Sequence, residues 1–207
     1  MKILITGANG FIGSYLAEYY INAGHEVDAT TRDSLNPLDC WAVKSYFDKN
    51  SVDIVVHTAV TGGSRTRPDT IDDFHNNITM FNNLSRHRHR YGAMINFGSG
   101  AEFCKAPVVH EDKHMDYFYI GDIPEVVNAL LRDSTKFPKD INLCYGDKYK
   151  LSEIINIFLS LTSYEKRINI LNNKGLSYTG NFDKLAKLDL KLKGLSKGMS
   201  ECLLAWE

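Results

Sequence analysis

The residues with the clearest chemical purpose stand near the start of the chain, where Thr6-Gly7-Ala8-Asn9-Gly10-Phe11-Ile12-Gly13 spaces three glycines as Gly-x-x-Gly-x-x-Gly. A short β-branched and leucine run ends at Gly7, and apolar residues at helical spacing begin at Phe11. The motif therefore reads strand, turn, helix. In that context Gly7 permits the tight turn, Gly10 lets the backbone approach a pyrophosphate, and Gly13 lets the helix pack close to the sheet. The N–H groups of the first helical turn then supply donors to an anion. The segment is expected to bind a dinucleotide, with Gly7, Asn9, Gly10, Phe11, Ile12 and Gly13 at the cofactor.

The second chemical signal follows the second expected strand, where the order is Thr31-Arg32-Asp33. An acidic residue here hydrogen-bonds a ribose 2′-hydroxyl, whereas an arginine pairs with a 2′-phosphate. A guanidinium binds phosphate in bidentate fashion, so Arg32 favours NADP, and Asp33 is compatible with NAD. A solvated loop arginine is the alternative reading of Arg32.

The elements that must hold these residues follow from periodicity. Strands are expected over Lys2–Thr6, Glu26–Thr30, 52–58 and 93–97, with helices over 11–23 and 38–49 and from the polar loop 61–69 through about residue 90. The order βαβαβ, with near-continuous apolar strands, implies a parallel sheet buried on both faces. Beyond residue 97 the pattern changes. An aromatic strand over 117–120, a helix over 122–131 capped by Asp122, strands over 141–144 and 167–171, a helix over Leu151–Leu161 and two short helices near Asp183 and Ser196 are expected. The fold class is thus α/β, with a dinucleotide-binding domain over 1–115 and a small α/β C-terminal region over 116–207.

Composition sets the outer bounds. With 207 residues, 43% of them hydrophobic and 24% charged, the chain can bury one real core. A net charge of -1 gives no overall pull toward nucleic acid or an anionic membrane, and neither is expected as a partner. Cys40, Cys104, Cys144 and Cys202 lie far apart with no ligand spacing, which fits reduced thiols and no metal site. The run before Gly7 is too short for a signal peptide and no later run reaches membrane-spanning length, so a cytoplasmic protein is expected. Arg86-His87-Arg88-His89-Arg90 is the most basic stretch and reads as a solvated helix end, His57 as a core residue, and Asp122 as a helix N-cap.

Several segments together resemble the extended short-chain dehydrogenase/reductases, the NAD-dependent epimerase/dehydratase family, and among them the GDP-L-fucose synthase branch. They are the glycine loop, the run from Thr31 to Asp39, Val55-Val56-His57-Thr58-Ala59-Val60 followed by Gly62-Gly63, Phe97-Gly98-Ser99, the asparagine-rich stretch with Asn76, Asn77, Asn82 and Asn83, and Tyr117-Phe118-Tyr119-Ile120-Gly121-Asp122. The resemblance implies a Rossmann-type doubly wound parallel sheet, truncated after the fifth strand of the family's count, the segment 93–97. It implies that Arg32, Asn36 and Leu38 line the adenosine end of NADP, that Ala59 and Gly98 lie beside the cofactor, and that Gly62 and Gly63 face a nucleotide-sugar substrate. Ser99 matches the serine that orients the substrate carbonyl, with a plain turn residue as the alternative reading.

The departures from the family bear on mechanism. In the family a tyrosine donates a proton to the developing alkoxide, and a lysine four residues later lowers its pKa. None of the eleven tyrosines here has a lysine four residues later. His110-Glu111-Asp112-Lys113 runs almost directly into Tyr117, where the family has a long segment, and Ala101 stands at the position of the family's epimerisation cysteine. Tyr117, Tyr119 and Lys113 are the conceivable substitutes, although tyrosines in a strand more often serve packing. Two readings follow: an epimerase/reductase-family protein with weak or absent activity on a nucleotide 4-keto-6-deoxy sugar, or a non-catalytic dinucleotide-binding sensor or subunit of a sugar-modifying assembly. Without a sixth strand, segment 93–97 is left as a sheet edge, which predicts either cover from 117–120 or pairing of two chains as a homodimer.

Overall fold

Ile3, Leu4 and Ile5 are fully buried although successive side chains point to opposite faces, which requires both faces of β1 (Lys2–Thr6) to be covered. The computed structural model meets that requirement with a parallel α/β arrangement; it describes residues 1–63, 68–97, 112–133, 135, 137–161 and 176–204. The chain divides into two units, Met1–Ser99 and Gly100–Glu207.

In the first unit, β1, β2 (Glu26–Thr30), β3 (Ile54–His57) and β4 (Ala93–Asn96) form one sheet in the order β2-β1-β3-β4, with every pair parallel. The register aligns Thr6 with Thr30 on one side and His57 on the other, and His57 with Asn96. A row of polar side chains therefore closes the carboxyl end of the sheet. The chain leaves β1 through α1 (Phe11–Asn22) to β2, then crosses back through α2 (Cys40–Lys49) to β3 on the other side of β1. This places the reversal of strand order between β1 and β3, where open α/β sheets bind ligands.

The helices start where the sequence supplies caps. Asp39 accepts hydrogen bonds from Trp41 N and Ala42 N at 2.9 and 3.1 Å, which opens α2. Thr70 and Asp73 form a reciprocal capping box that opens α3 (Ile71–Ser85). Val43 and Phe47, four residues apart, point one face of α2 into a core that also holds Leu4, Leu35, Val52, Val55 and Leu84. Burying a side chain such as Phe47 stabilises the unit by about 2 kcal/mol. After Ser85 the expected long helix ends, and Arg88–Arg90 forms a separate 3-10 turn in which Arg88, His89 and Arg90 are exposed, as a solvated helix end requires.

The second unit is built differently. Among the described residues its sheet is a two-residue antiparallel pairing of β5 (His114–Met115) with β6 (Tyr149–Lys150), extended by one bridge from Met115 to Tyr178. Its helices are α4 (Ile123–Arg132), α5 (Leu151–Leu161), α6 (Asp183–Ala186) and α7 (Leu195–Leu204). Ile123, Val126, Val127, Cys144 and Leu185 are its buried apolar side chains among the described residues.

Three expectations are corrected here. Residues 117–120 form no strand: Tyr119 N donates to the Tyr145 hydroxyl at 3.2 Å and the chain turns into a 3-10 segment at Ile120–Asp122. Residues 141–144 are likewise irregular, with Cys144 Sγ donating to Gly180 O at 3.6 Å. Asp122 occupies the N-cap position of α4 but makes no capping bond; its carboxylate is spent elsewhere. The strand expected over 167–171 lies outside the described residues.

Candidate functional site

The glycine loop sits at the carboxyl end of β1, against the residues that leave β3. Gly7 has φ +77°, and a β-carbon there would stand 2.6 Å from both Ala59 Cα and Ala59 N. Gly13 is buried, and a β-carbon on it would stand 2.3 Å from Gly7 O and 2.6 Å from Thr58 Oγ1. Both collisions are with groups that cannot move freely, because Thr58 Oγ1 is itself tied to Thr6 O at 2.7 Å. Gly10 is exposed, and its β-carbon would meet only Gly7 O, at 3.2 Å, which leaves open space on the side facing away from the turn.

The loop presents the start of α1 as an anion site. Gly10 is the N-cap with no side-chain capping bond, and the first turn carries no acidic residue. Its N–H donors and the positive end of the helix dipole thus have no carboxylate competing for them. Ala8 N donates to Thr30 O at 3.0 Å and Gly10 N to Gly7 O at 2.9 Å, which fixes the turn by backbone alone. Asn9 and Phe11 are exposed beside it and Ile12 is half-buried.

Arg32 and Asp33 are both exposed in the turn after β2, which closes on itself: Ser34 N and Leu35 N both donate to Thr31 O. Neither Arg32 nor Asp33 has an ion-pair partner among the described residues. Leu35 anchors the turn in the core. Asn36 Oδ1 accepts from Leu38 N at 3.1 Å, and both residues are half-buried.

The asparagines of α3 were legible as a resemblance, but what they do was not. Asn77 accepts from Thr61 N at 2.8 Å and donates to Thr61 O at 2.9 Å, so one amide pairs with both backbone groups of the residue before Gly62. Gly62 and Gly63 have φ +83° and +69°, and Gly63 N donates to Asp69 Oδ1 at 2.6 Å. Six residues on, the buried Asn83 donates to Pro37 O at 2.9 Å and Leu38 O at 3.1 Å. A single helix thus holds both loops that flank the glycine turn.

His57 shares a 2.6 Å hydrogen bond with Thr6 Oγ1 beneath the loop, and burial pushes its imidazole down to about 4. It is neutral at pH 7 and serves the sheet end, as its buried strand position suggested. Ala59 lies against Gly7, whereas Gly98, Ser99 and Ala101 lie outside the described residues. Of the substitutes for the missing acid, Tyr119 donates its hydroxyl to Glu201 at 2.7 Å, and Tyr117 and Lys113 are half-buried. No group of three His, Cys, Asp or Glu side chains with metal-ligand geometry occurs among the described residues, and no helix among them is long and apolar enough to cross a membrane.

Residues 3–115, more than half of the chain, match the family described as NAD dependent epimerase/dehydratase. The chain belongs to that family. As an epimerase/dehydratase-family chain it is 32% identical over 106 residues to a GDP-L-fucose synthase of Azorhizobium caulinodans, a match covering 49% of this chain and 34% of the relative. The chain therefore matches about a third of that relative's length. Among solved structures, a GDP-mannoheptose C4 reductase from Campylobacter jejuni with NADP bound aligns with a TM-score of 0.81 at 16% identity, covering 99% of this chain and 98% of that one. The Bordetella bronchiseptica enzyme WbmG, in complex with NAD and UDP, aligns with a TM-score of 0.77 at 15% identity, covering 99% and 94%. At these identities the likeness establishes the fold, the Rossmann-type architecture that the family resemblance implied.

Proposed function

We propose that this chain is a cytoplasmic, NADP-binding member of the nucleotide-sugar epimerases and reductases, acting weakly or not at all on a nucleotide 4-keto-6-deoxy sugar. The observation that carries the reading is the pair of glycine approaches, Gly7 to Ala59 and Gly13 to Gly7 and Thr58, beside an uncapped helix start at the reversal of strand order. That geometry suits a pyrophosphate on Gly7, Asn9, Gly10, Phe11, Ile12 and Gly13. Arg32 meets the 2′-phosphate, Asn36 and Leu38 line the adenosine, and Ala59 and Gly98 lie along the cofactor. Gly62 and Gly63 border the sugar, and the Ser99 hydroxyl orients its carbonyl. NADPH, when bound, supplies a hydride. A chain without the tyrosine and lysine lacks a positioned general acid, a loss of about 10²- to 10⁴-fold in rate.

The absent Tyr-x-x-x-Lys supports a second reading, a non-catalytic dinucleotide sensor or a subunit of a sugar-modifying assembly. The separating experiment is NADPH binding and NADPH consumption in one sample presented with GDP-4-keto-6-deoxymannose. Turnover that disappears in Ser99→Ala supports the first reading, and binding without turnover supports the second. In the same titration Arg32→Ala is expected to weaken NADPH far more than NADH. Equal losses would remove the case for a 2′-phosphate clamp.

The reading includes a homodimer, placed on α3 and not on the 93–97 edge to which the sequence pointed. Ile71, Phe74, Ile78 and Phe81 are exposed along one stripe of α3, with Asp69 and Asp72 at its start and Arg86 and Arg88 at its end. Antiparallel pairing with a second copy would bury the stripe and set each acidic end against a basic one. Light scattering is expected to give twice the chain mass for the wild type and a monomer for Phe74→Glu, and a monomeric wild type would end this part of the reading.

A further inference from the structure

We infer that Asn83 is the positioning residue for the adenosine end of the cofactor, an inference that rests on the proposed dinucleotide function. The loop that leaves β2 has two differently secured halves. The Thr31 to Leu35 half closes through its own hydrogen bonds, Ser34 N and Leu35 N to Thr31 O, and through Leu35 in the core. The Asn36 to Leu38 half has only the local Leu38 N to Asn36 Oδ1 bond before Asp39 N returns to Asn36 O. The long-range hydrogen bonds that tie this half to the rest of the unit come from the Asn83 amide, which reaches the carbonyls of the buried Pro37 and of Leu38 across more than forty residues of sequence.

Asn83 is 5% exposed, so no water stands ready to replace it. Removing it would leave the buried Pro37 carbonyl and the half-buried Leu38 carbonyl without their donor, and the loop would move to find water. Leucine or alanine at position 83 could fill α3's face toward the core, but neither can donate a hydrogen bond. Asn77 performs the equivalent task at Thr61, so α3 sets the separation between the adenosine loop and the loop that carries Gly62 and Gly63. Helix geometry fixes that separation: Asn77 and Asn83 are six residues, about 9 Å of rise, apart.

The test compares Asn83→Ala with Leu84→Ala, a neighbouring core substitution that destabilises the same helix and removes no hydrogen bond to the loop. The probes are 2′,5′-ADP, which carries the adenosine end alone, and NADPH, with unfolding midpoints measured in parallel. Asn83→Ala is expected to weaken 2′,5′-ADP about tenfold, as the loss of about 1.4 kcal/mol of loop positioning requires, and Leu84→Ala to leave it unchanged. Asn83→Asp, which keeps the shape but offers no N–H, should behave like the alanine variant. Equal affinities in Asn83→Ala and Leu84→Ala would overturn the inference while leaving dinucleotide binding intact. Wild-type protein that binds neither probe would overturn the proposed function, and this inference with it.

Discussion

Among the described residues, the two units meet the same demand, partners for buried backbone N–H and C=O groups, by opposite means. In the first unit a four-stranded ladder and three long helices do most of that work, so polar side chains are left over to line the carboxyl end of the sheet. In the second unit the strands among the described residues are two residues long, and carboxylates substitute for the ladder. Asp122 accepts from the Tyr145 hydroxyl at 2.5 Å, Lys193 N at 2.8 Å and Gly194 N at 3.0 Å. Asp116 accepts from Lys148 Nζ at 2.7 Å and from Gly180 N. Asp112 takes both the backbone N–H and the hydroxyl of Ser152, bonds that hold its carboxyl below the usual range. A cluster of acidic and phenolic groups in such a region is therefore architecture: each of these groups is already occupied.

The comparison is tested hardest at Gly13. Gly13→Ala would place a β-carbon against backbone oxygen and the tethered Thr58, and should destabilise the first unit by about 4 kcal/mol with loss of NADPH binding. Gly10→Ala, whose β-carbon meets one oxygen at 3.2 Å, should cost under about 1 kcal/mol by the same reasoning. Denaturant unfolding of the two variants checks this, and similar losses in both would mean the close approach at Gly13 is not what shapes the loop. The matching substitution in the second unit is Asp122→Ala, which strands two backbone N–H groups and a phenol at once and should cost about 3 kcal/mol. Amide exchange at Lys193 and Gly194 should accelerate while NADPH affinity stays unchanged. Protection at those amides that survives the substitution would show that Asp122 is not the tie.

The same contrast explains what the sequence disclosed. β1, β2, α1 and α5 were legible nearly to the residue because their side chains obey one period over a full element. The glycine loop was legible because its spacing is dictated by backbone contacts that no side chain can imitate. Residues 117–120 misled because Tyr-Phe-Tyr-Ile has strand composition, yet what decides its conformation is a bond from Tyr119 N to Tyr145, 26 residues away. Asp122 misled for a related reason: it stands before Ile123-Pro124 as a cap should, but the strong donors that claim it come from the Lys193–Gly194 backbone, 71 and 72 residues on. Asn77 and Asn83 were visible as a motif, whereas their loop partners depend on which carbonyls the crossover brings beside α3. Local pattern fixes elements; long-range hydrogen bonds between loops leave little trace in it.

The finest test of the first unit is electrostatic, and His57 provides it. Its imidazole is buried in the sheet and titrates near 4, below the value of about 6.5 that the unfolded chain would show. Well above pH 6.5 neither state binds the proton, and His57 has no effect on the pH dependence. As pH falls from 6.5 toward 4, the unfolded chain takes up a proton that the folded chain refuses, so stability falls with pH. Between pH 7.5 and pH 5 that loss is about 2 kcal/mol. His57→Gln cannot titrate, so its stability should fall by about 2 kcal/mol less over the same interval, whatever the substitution costs at pH 7.5. Urea unfolding of both proteins at the two pH values measures the difference directly. Parallel pH profiles would mean that His57 takes up its proton in the folded sheet, and the buried bond to Thr6 would then have to survive with a charged ring.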